Sequence, residues 1–413
     1  MRPIVALALA GFLGVGAPAG YAAEEEPVYR GKKASEWAAQ LQAEKDLTSQ
    51  HHISLVAGNA VHARGGALFA KQTAQRRIGL VVLQIIGPDK FPAMVPVIVT
   101  AVQNDPEAEV RAAAATTLAK MYEKIERGKF AQAREAISLA LRRDPSWRVR
   151  EAAAAALGDI EPEEARSSVL LLAQALGDES PEVVHAAADT LRKLGKDAAD
   201  AAPALVKLLK DANAAALPRT QAALALGRIG APDAVQAGAV AALKEAIVSA
   251  ETPPDLRIAC VSGVGFFGKD SADAVPAVGA LLGSRATPLD LRRKAVDTLD
   301  QLGLDARAAV ADLLKAVKDD DKHVRARAVH ALSVMAKELG PDLPKVVQAF
   351  HEGLSDSAVD VRIAAINACS LLGPESLGDR LGPIAERLGM LGRETQKDVA
   401  EAAKLALARL KPQ

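Results

Sequence analysis

Asp144-Pro145-Ser146-Trp147-Arg148-Val149-Arg150-Glu151-Ala152-Ala153-Ala154-Ala155-Ala156-Leu157 is the stretch that decides the fold. It reads D-x4-V-R-x2-A-x3-L. At about 100° per residue, Val149, Ala153 and Leu157 fall on one face of a helix. Versions of it recur down to the C-terminus. With the residue equivalent to Arg150 as position zero, the zeros are Arg76, Arg111, Arg150, Val184, Arg219, Arg257, Arg292, Arg325, Arg362 and Ala400, 33 to 39 residues apart. A near-constant period of this size is the signature of a solenoid of stacked helical hairpins, here about ten.

The columns of this alignment have physical content. Position −1 is mostly aliphatic (Val110, Val149, Val183, Leu291), +3 mostly Ala, +7 mostly Leu and +10 large and apolar (Ile86, Ile160, Leu194, Phe267). Position +6 is small in nearly every unit, as a close neighbouring helix would require. Glycine at +11 (Gly87, Gly195, Gly230, Gly268, Gly303, Gly373) suits a helix C-terminus that needs a left-handed residue. A second amphipathic segment precedes each zero, often with Pro near its start. Each unit therefore reads as helix A, a short polar turn, then helix B.

The acids at −6 and the arginines at zero form a candidate structural ladder: Asp105, Arg111, Asp144, Arg150, Asp319, Arg325, Asp356 and Arg362. The carboxylate is expected to cap helix B, and the guanidinium to bridge to acids of its own or the next unit. Ten copies of one catalytic pair would make no sense, so these residues read as structural.

D-x4-V-R-x2-A-x3-L-x3-G over paired helices resembles HEAT repeats, specifically the short, Ala-rich type of phycobilisome-lyase-like proteins, over residues 35–411. The resemblance implies an all-α fold, a right-handed α-α superhelix of the HEAT or armadillo type. It also implies a binding surface more than a chemistry. The leader Tyr29-Arg30-Gly31-Lys32-Lys33-Ala34-Ser35-Glu36-Trp37 is similar to the opening of exported HEAT-repeat proteins of planctomycete-type bacteria.

Residues 1–22 read as a signal peptide. Arg2 gives a positive start, Ile4–Val15 an apolar run too short to span a bilayer, and Gly20-Tyr21-Ala22 a small-residue cleavage site after Ala22. The mature chain is then expected outside the cytoplasm, periplasmic or secreted, with no membrane span. Residues 23–70 read as a spacer, a first helix with Ser35 as its N-cap and Trp37 and Leu41 on one face, sealing the end of the array, and an irregular lead-in. Residues 71–413 are the array. His51, His52 and His62 lack the spacing of a metal site, and Lys124–Phe130 reads as a lengthened loop in the longest unit.

The chain carries 51 basic and 51 acidic residues, without the electrostatic footprint of a nucleic-acid binder. Cys260 and Cys369, three repeats apart, read as small buried residues and not as a disulfide. No G-x-S-x-G, H-E-x-x-H, C-x-x-C or P-loop occurs. His351-Glu352 is the single His-Glu dipeptide, whereas HEAT-like di-iron hydroxylases use several. No cofactor is called for.

Function is therefore sought on the face of helix B opposite its core, at +1, +5 and +8, which in such arrays lines the concave side. The candidates are Glu151, His185, Asp189, Arg192, Leu224, Ile258, Arg293, Asp297, Asp300, His330 and Asn367. This mixed polar and apolar row, with Phe266 beside it, suits a protein or peptide. His330 and Asp297 are expected to be neighbours. The reading is a non-catalytic exported scaffold. The resemblance leaves a bilin-lyase-like activity or accessory subunit as the alternative.

Overall fold

The computed structural model describes residues 26–42, 62–125, 127–159, 168–230 and 233–410 of the 413. Over these residues the chain is an all-α superhelical solenoid, with one two-stranded ribbon at its start. The A and B helices alternate in ten hairpins. These are α1 (Ala34–Gln42) with α2 (His62–Ile86), α3 (Met94–Asn104) with α4 (Ala108–Lys120), α5 (Arg127–Arg143) with α6 (Trp147–Gly158), α7 (Val169–Ala175) with α8 (Pro181–Leu194), α9 (Ala202–Lys210) with α10 (Ala216–Ile229), α11 (Asp233–Val248) with α12 (Pro254–Gly265), α13 (Val275–Ala280) with α14 (Leu289–Leu302), α15 (Val310–Ala316) with α16 (Lys322–Met335), α17 (Leu343–Gly353) with α18 (Val359–Leu377), and α19 (Leu381–Leu391) with α20 (Lys397–Leu410). The chain divides into two compact units, Met1–Ala136 and Ile137–Gln413.

In both units the apolar columns of helix B are buried. Val110, Ala114 and Leu118 in the first unit, and Val149, Ala153 and Leu157 in the second, lose all contact with solvent. So does a column that the stripe does not include. Ala115, Ala154, Ala188, Ala223, Val261, Val296, Val329 and Ile366, all at +4, are buried as completely. The reason is geometric. In the second unit each interior B helix packs on its own A helix and more extensively on the B helices before and after it. Three neighbours bury a wider arc than one.

The B helices approach closely at +6 and +8. Thr190 Oγ1 donates to the Ala154 carbonyl of the preceding B helix at 2.9 Å, and Thr298 Oγ1 to that of Val261 at 3.4 Å. Between α10 and α12 the contact is glycine on glycine. A Cβ on Gly263 would stand 2.9 Å from the Ala223 carbonyl oxygen, and one on Gly227 would stand 3.0 Å from Gly263 Cα. All six glycines at +11 have positive φ, between 52° and 85°; Gly87, Gly195, Gly230 and Gly303 directly follow their B helices as the sequence requires, whereas Gly268 lies beyond the end of α12 and Gly373 kinks α18.

The N-terminus differs from expectation in detail. Val28–Tyr29 pairs antiparallel with Lys32–Lys33 across Arg30-Gly31, both at positive φ, the two-residue hairpin turn. Trp37 Nε1 donates to the Tyr29 carbonyl at 3.2 Å, and the Lys32 ammonium lies 4.8 Å from its ring centre. Trp37 and Leu41 are buried. Ser35 is not the N-cap, because α1 begins at Ala34 and Glu36 reaches back to the Lys33 N–H at 2.7 Å. His62 to Ala70, read as irregular on account of Gly65 and Gly66, belongs to α2. Two glycines cost about 1 kcal/mol each in a helix interior, which a 25-residue helix carries. His51 and His52 lie outside the described residues. The lengthened loop is also mostly absent. Tyr122–Lys124 is a 3-10 turn and α5 starts at Arg127, with Ile125 and Phe130 buried and Tyr122 against Phe130 at 5.7 Å.

Two glycine substitutions should separate packing from propensity. Gly263→Ala should destabilise the array by about 1–3 kcal/mol, because the methyl meets backbone. Gly238→Ala, with nothing within 4 Å, should stabilise it by about 0.5–1 kcal/mol. Urea unfolding followed by helical circular dichroism reads both. Equal shifts for the two variants would refute close B-helix stacking.

Candidate functional site

The ladder is the most ordered polar feature of the array. In the turn before helix B the −6 carboxylate accepts the N–H of the residue two places on. The distances are 2.9 Å at Asp105, Asp144, Asp178 and Asp319, and 2.8 Å at Asp356. That donating residue is itself the N-cap, so the carboxylate holds the turn into the helix and does not cap it. The arginine at zero then works in two directions. Its Nη1 donates to the −6 carbonyl of its own turn in Arg111 (2.8 Å), Arg150 (3.0 Å), Arg325 (2.8 Å) and Arg362 (2.9 Å). Its Nε and Nη2 grip the −6 carboxylate of the next unit. Arg150 holds Asp178 at 2.8 and 2.9 Å, Arg292 holds Asp319 at 2.9 and 3.2 Å, and Arg325 holds Asp356 at 2.8 and 2.9 Å. Arg76 does the same to Asp105 in the first unit, and Arg362 reaches Glu394 at 3.5 Å. Side-chain bridges thus run to the next unit, while the bonds within a unit go to backbone.

The ladder is interrupted in the second unit. Val184 has no guanidinium. Arg219 donates to the carbonyl of Leu209 at 3.1 Å and Arg257 to that of Ser249, both within their own hairpins. The acid after Arg219 is the exposed Glu251, and the position after Arg257 holds Ala286.

On the free face, Glu151, His185, Asp189, Arg192, Leu224, Ile258, Arg293, Asp297 and Asp300 are half-buried, and His330 and Asn367 are exposed. His185 Nδ1 is buried without a hydrogen-bond partner. Position +8 faces sideways and not outward. At about 100° per residue it stands closer to the buried arc than +5 or +9. Gly227 and Gly265 there are buried against the next B helix. The open row is +5 and +9; at +9 sequence reasoning singled out Phe266 and passed over Ile85, Val334 and Leu371. Ile85, Phe266, Val334 and Leu371 are exposed large apolar side chains, with Phe266 at 53% and Leu371 at 56%. Their regular spacing from zero was the available signal.

The polar members form two clusters. Asp189 accepts from Arg192 at 2.6 Å and from Lys193 at 3.3 Å, within one helix. Burial pushes its carboxyl up, but these cations outweigh it and hold the group below its ordinary value. The second cluster joins α14 to α16. Arg327 bridges Asp297 (3.1 Å) and Asp300 (2.8 Å), His323 Nε2 lies 2.9 Å from Asp297, and His330 Nδ1 lies 2.5 Å from Asp300. His330 therefore pairs with Asp300 and not with Asp297, because successive B helices are offset and +5 meets the preceding +8. Arg293 grips Asp321, the N-cap of α16, at 3.1 and 2.7 Å. That bond chiefly holds the Asp321 carboxyl at about 2. Among the described residues no group of three or more His, Cys, Asp or Glu is placed to hold a metal ion, and no helix is long and apolar enough to cross a membrane. Cys260 and Cys369 are buried free thiols, each pushed up by burial to about 12.

Hairpins of this kind, stacked through their B helices and cross-linked by an Arg–Asp ladder, define a helical-repeat solenoid. HEAT-repeat models match residues 134–217, 169–237, 240–333 and 286–368, more than half of the chain, and a further one matches 94–125. The chain belongs to the HEAT-repeat family. None of the curated proteins matches it. Solved structures similar in fold include a mutant of Kap121p (13% identity, 94% of this chain and 42% of that one, TM-score 0.59). Two others are Kap95 in complex with Nup1 (13%, 91% and 54%, 0.55) and Kap95p, whose binding induces the switch loops of RanGDP to adopt the GTP-bound conformation (16%, 94% and 55%, 0.55). The chain spans about two fifths to just over half the length of these relatives.

Arg325→Ala leaves the mostly buried Asp356 without its guanidinium and should cost about 1–3 kcal/mol, whereas Arg257→Ala removes only bonds to carbonyl and should cost less. Comparison of urea midpoints decides this; the reverse order would show that the ladder does not bind units together. The acid limb follows from the depressed carboxyls. Asp321 sits at about 2 in the fold against about 3.9 unfolded. The unfolded chain therefore binds more protons, and the stabilisation is complete above about pH 4 and lost as pH falls towards 2. Asp178, Asp189 and Asp356 are depressed too and act in the same sense. Asp321→Asn should flatten the decline of the urea midpoint between about pH 4 and 2. An unaltered slope would contradict this.

Proposed function

We propose that the chain is a non-catalytic exported scaffold that binds a protein or peptide along the free face of its B helices, the face assigned here to the concave side. One observation carries the reading. The open row is the part of helix B that the repeat does not dictate, and it exposes Phe266, Val334, Leu371 and Leu405 beside half-buried Leu224 and Ile258, on α10, α12, α16, α18 and α20. Exposed apolar side chains aligned across rigid elements are what a binding surface offers. The similar solved structures lend support in kind, since Kap95 is described in complex with Nup1 and Kap121p as bound to the SUMO protease Ulp1p. Export rests on the composition of residues 1–22, which lie outside the described residues. No observation favours tetrapyrrole attachment.

A photo-crosslinking residue at Asn367 or Leu371 on the B face should capture a discrete protein from the native exported fraction. The same residue at Leu170 or Val248, exposed on A helices, should not. Equal labelling from both faces would sink the proposal. A triple variant, Leu224→Glu, Val334→Asp and Leu371→Asp, should abolish capture while shifting stability by no more than about 0.5 kcal/mol per exposed site.

A further inference from the structure

The central part of the open row, on α10, α12 and α14, differs from the rest in packing and in charge. Phe266 is the most exposed phenylalanine among the described residues, in a chain where aromatics make up 3%. It is not loose. Its ring lies over Gly227 of the preceding B helix, so close that a Cβ there would stand 2.9 Å from Cδ2. A glycine at +8 in one unit gives the aromatic at +9 of the next unit a fixed seat, with more than half its surface left open. Leu224 and Ile258, half-buried on the same two helices, extend the apolar surface. A bulky, pre-ordered ring is the kind of anchor that dominates binding energy.

Two cations on these helices lack a carboxylate partner. On most of this face each charge is answered within the chain. Asp189 is held by Arg192 and Lys193, and Asp297 and Asp300 by Arg327 and two histidines. Beside Phe266 the pattern fails. Arg327 bonds Asp297 because +2 meets +5 of the preceding unit; one unit earlier these positions hold Lys294 and Ser262, and the acid is missing. Lys294 and the exposed Arg228, at +9 of α10, make no ion pair among the described residues. An exposed aromatic flanked by two unanswered cations is complementary to a negatively charged chain that carries an apolar side chain.

We propose that Leu224, Ile258 and Phe266, flanked by Arg228 and Lys294, form the docking surface for an acidic peptide segment with one bulky apolar anchor. The inference rests on the free B face being the binding face, and it names the chemistry of what binds there.

The full chain is titrated against fluorescent synthetic peptides of about a dozen residues, in fluorescence anisotropy. One is Glu/Gly-rich with a single central Leu, one is the same without the Leu, and one is its Lys/Gly counterpart with the Leu. The acidic, anchored peptide should bind, weakening several-fold when ionic strength rises from about 0.05 to 0.5 M. Loss of the Leu, Phe266→Ala and Arg228→Glu should each weaken it about tenfold, and Arg228→Glu with Lys294→Glu further still. Arg228 is exposed and Lys294 half-buried, so helical circular dichroism should be unchanged for these variants. Failure of the acidic peptide to bind, equal binding of the Lys peptide, or indifference to Phe266→Ala and Arg228→Glu would overturn the proposal. The crosslinking experiment separates this failure from the wider one. Capture at Asn367 or Leu371 without acidic-peptide binding leaves the B face as the binding face and rejects the acidic segment. Absence of both rejects both.

Discussion

Close stacking of consecutive B helices is the constraint on which the rest of the array depends. It requires a small or back-bonding residue at +6, which is why Thr190 and Thr298 spend their hydroxyls on carbonyls of the preceding helix. It admits glycine against glycine at Gly227 and Gly263. It also buries +4 as fully as +3. A helix enclosed on three sides keeps only a narrow strip for solvent, and that strip falls at +5 and +9. The location of any binding surface is therefore a consequence of how the core is built.

The ladder is the polar counterpart of that stacking. Most turns between A and B carry orphan carbonyls and an acid near the start of a helix. One guanidinium satisfies the carbonyls of its own turn and the carboxylate of the next. Partly buried, the carboxylates would rise in pKa on desolvation alone, but the arginines and the N–H bonds of the turn overcome this, and Asp178 and Asp356 are held below their ordinary value. Where Val184 or Ala286 stands in the pattern, the bridge is lost, and cohesion rests on the B helices themselves; at the second of these junctions Thr298 and Gln301 donate to carbonyls of α12.

Much of this was legible in the sequence. Period, polarity and glycine at +11 are enough to place ten B helices, because each depends on local spacing alone. What stayed hidden depends on relations between helices. In Ala152 to Ala156 nothing distinguishes the alanine that faces a neighbour from the one that faces water, so the burial of Ala154 could not be read. Acids of the same and the next unit were both open to an arginine at zero, and only the stacking direction chose the next. The offset between B helices sends His330 to Asp300. The same geometry turns +8 sideways. A reader of columns, who treats every unit as aligned with the next, errs by that offset. Gly65 and Gly66 misled in another way, since their propensity is a weak prior against a long helix.

A repeat carries information about function chiefly where it departs from its own rule, provided the departures are coupled. Gly227 alone would be a loss of packing, and Phe266 alone an exposed aromatic of no account. Together they are a complementary pair on adjacent helices, one making the space that the other fills. The same two hairpins have neither Asp at −6 nor a ladder bridge to the next unit. They therefore combine a glycine-on-glycine contact between B helices with the loss of the ladder bridge at the turns. Small residues let the two helices close there, and the ring that Gly227 seats is the one that reaches solvent.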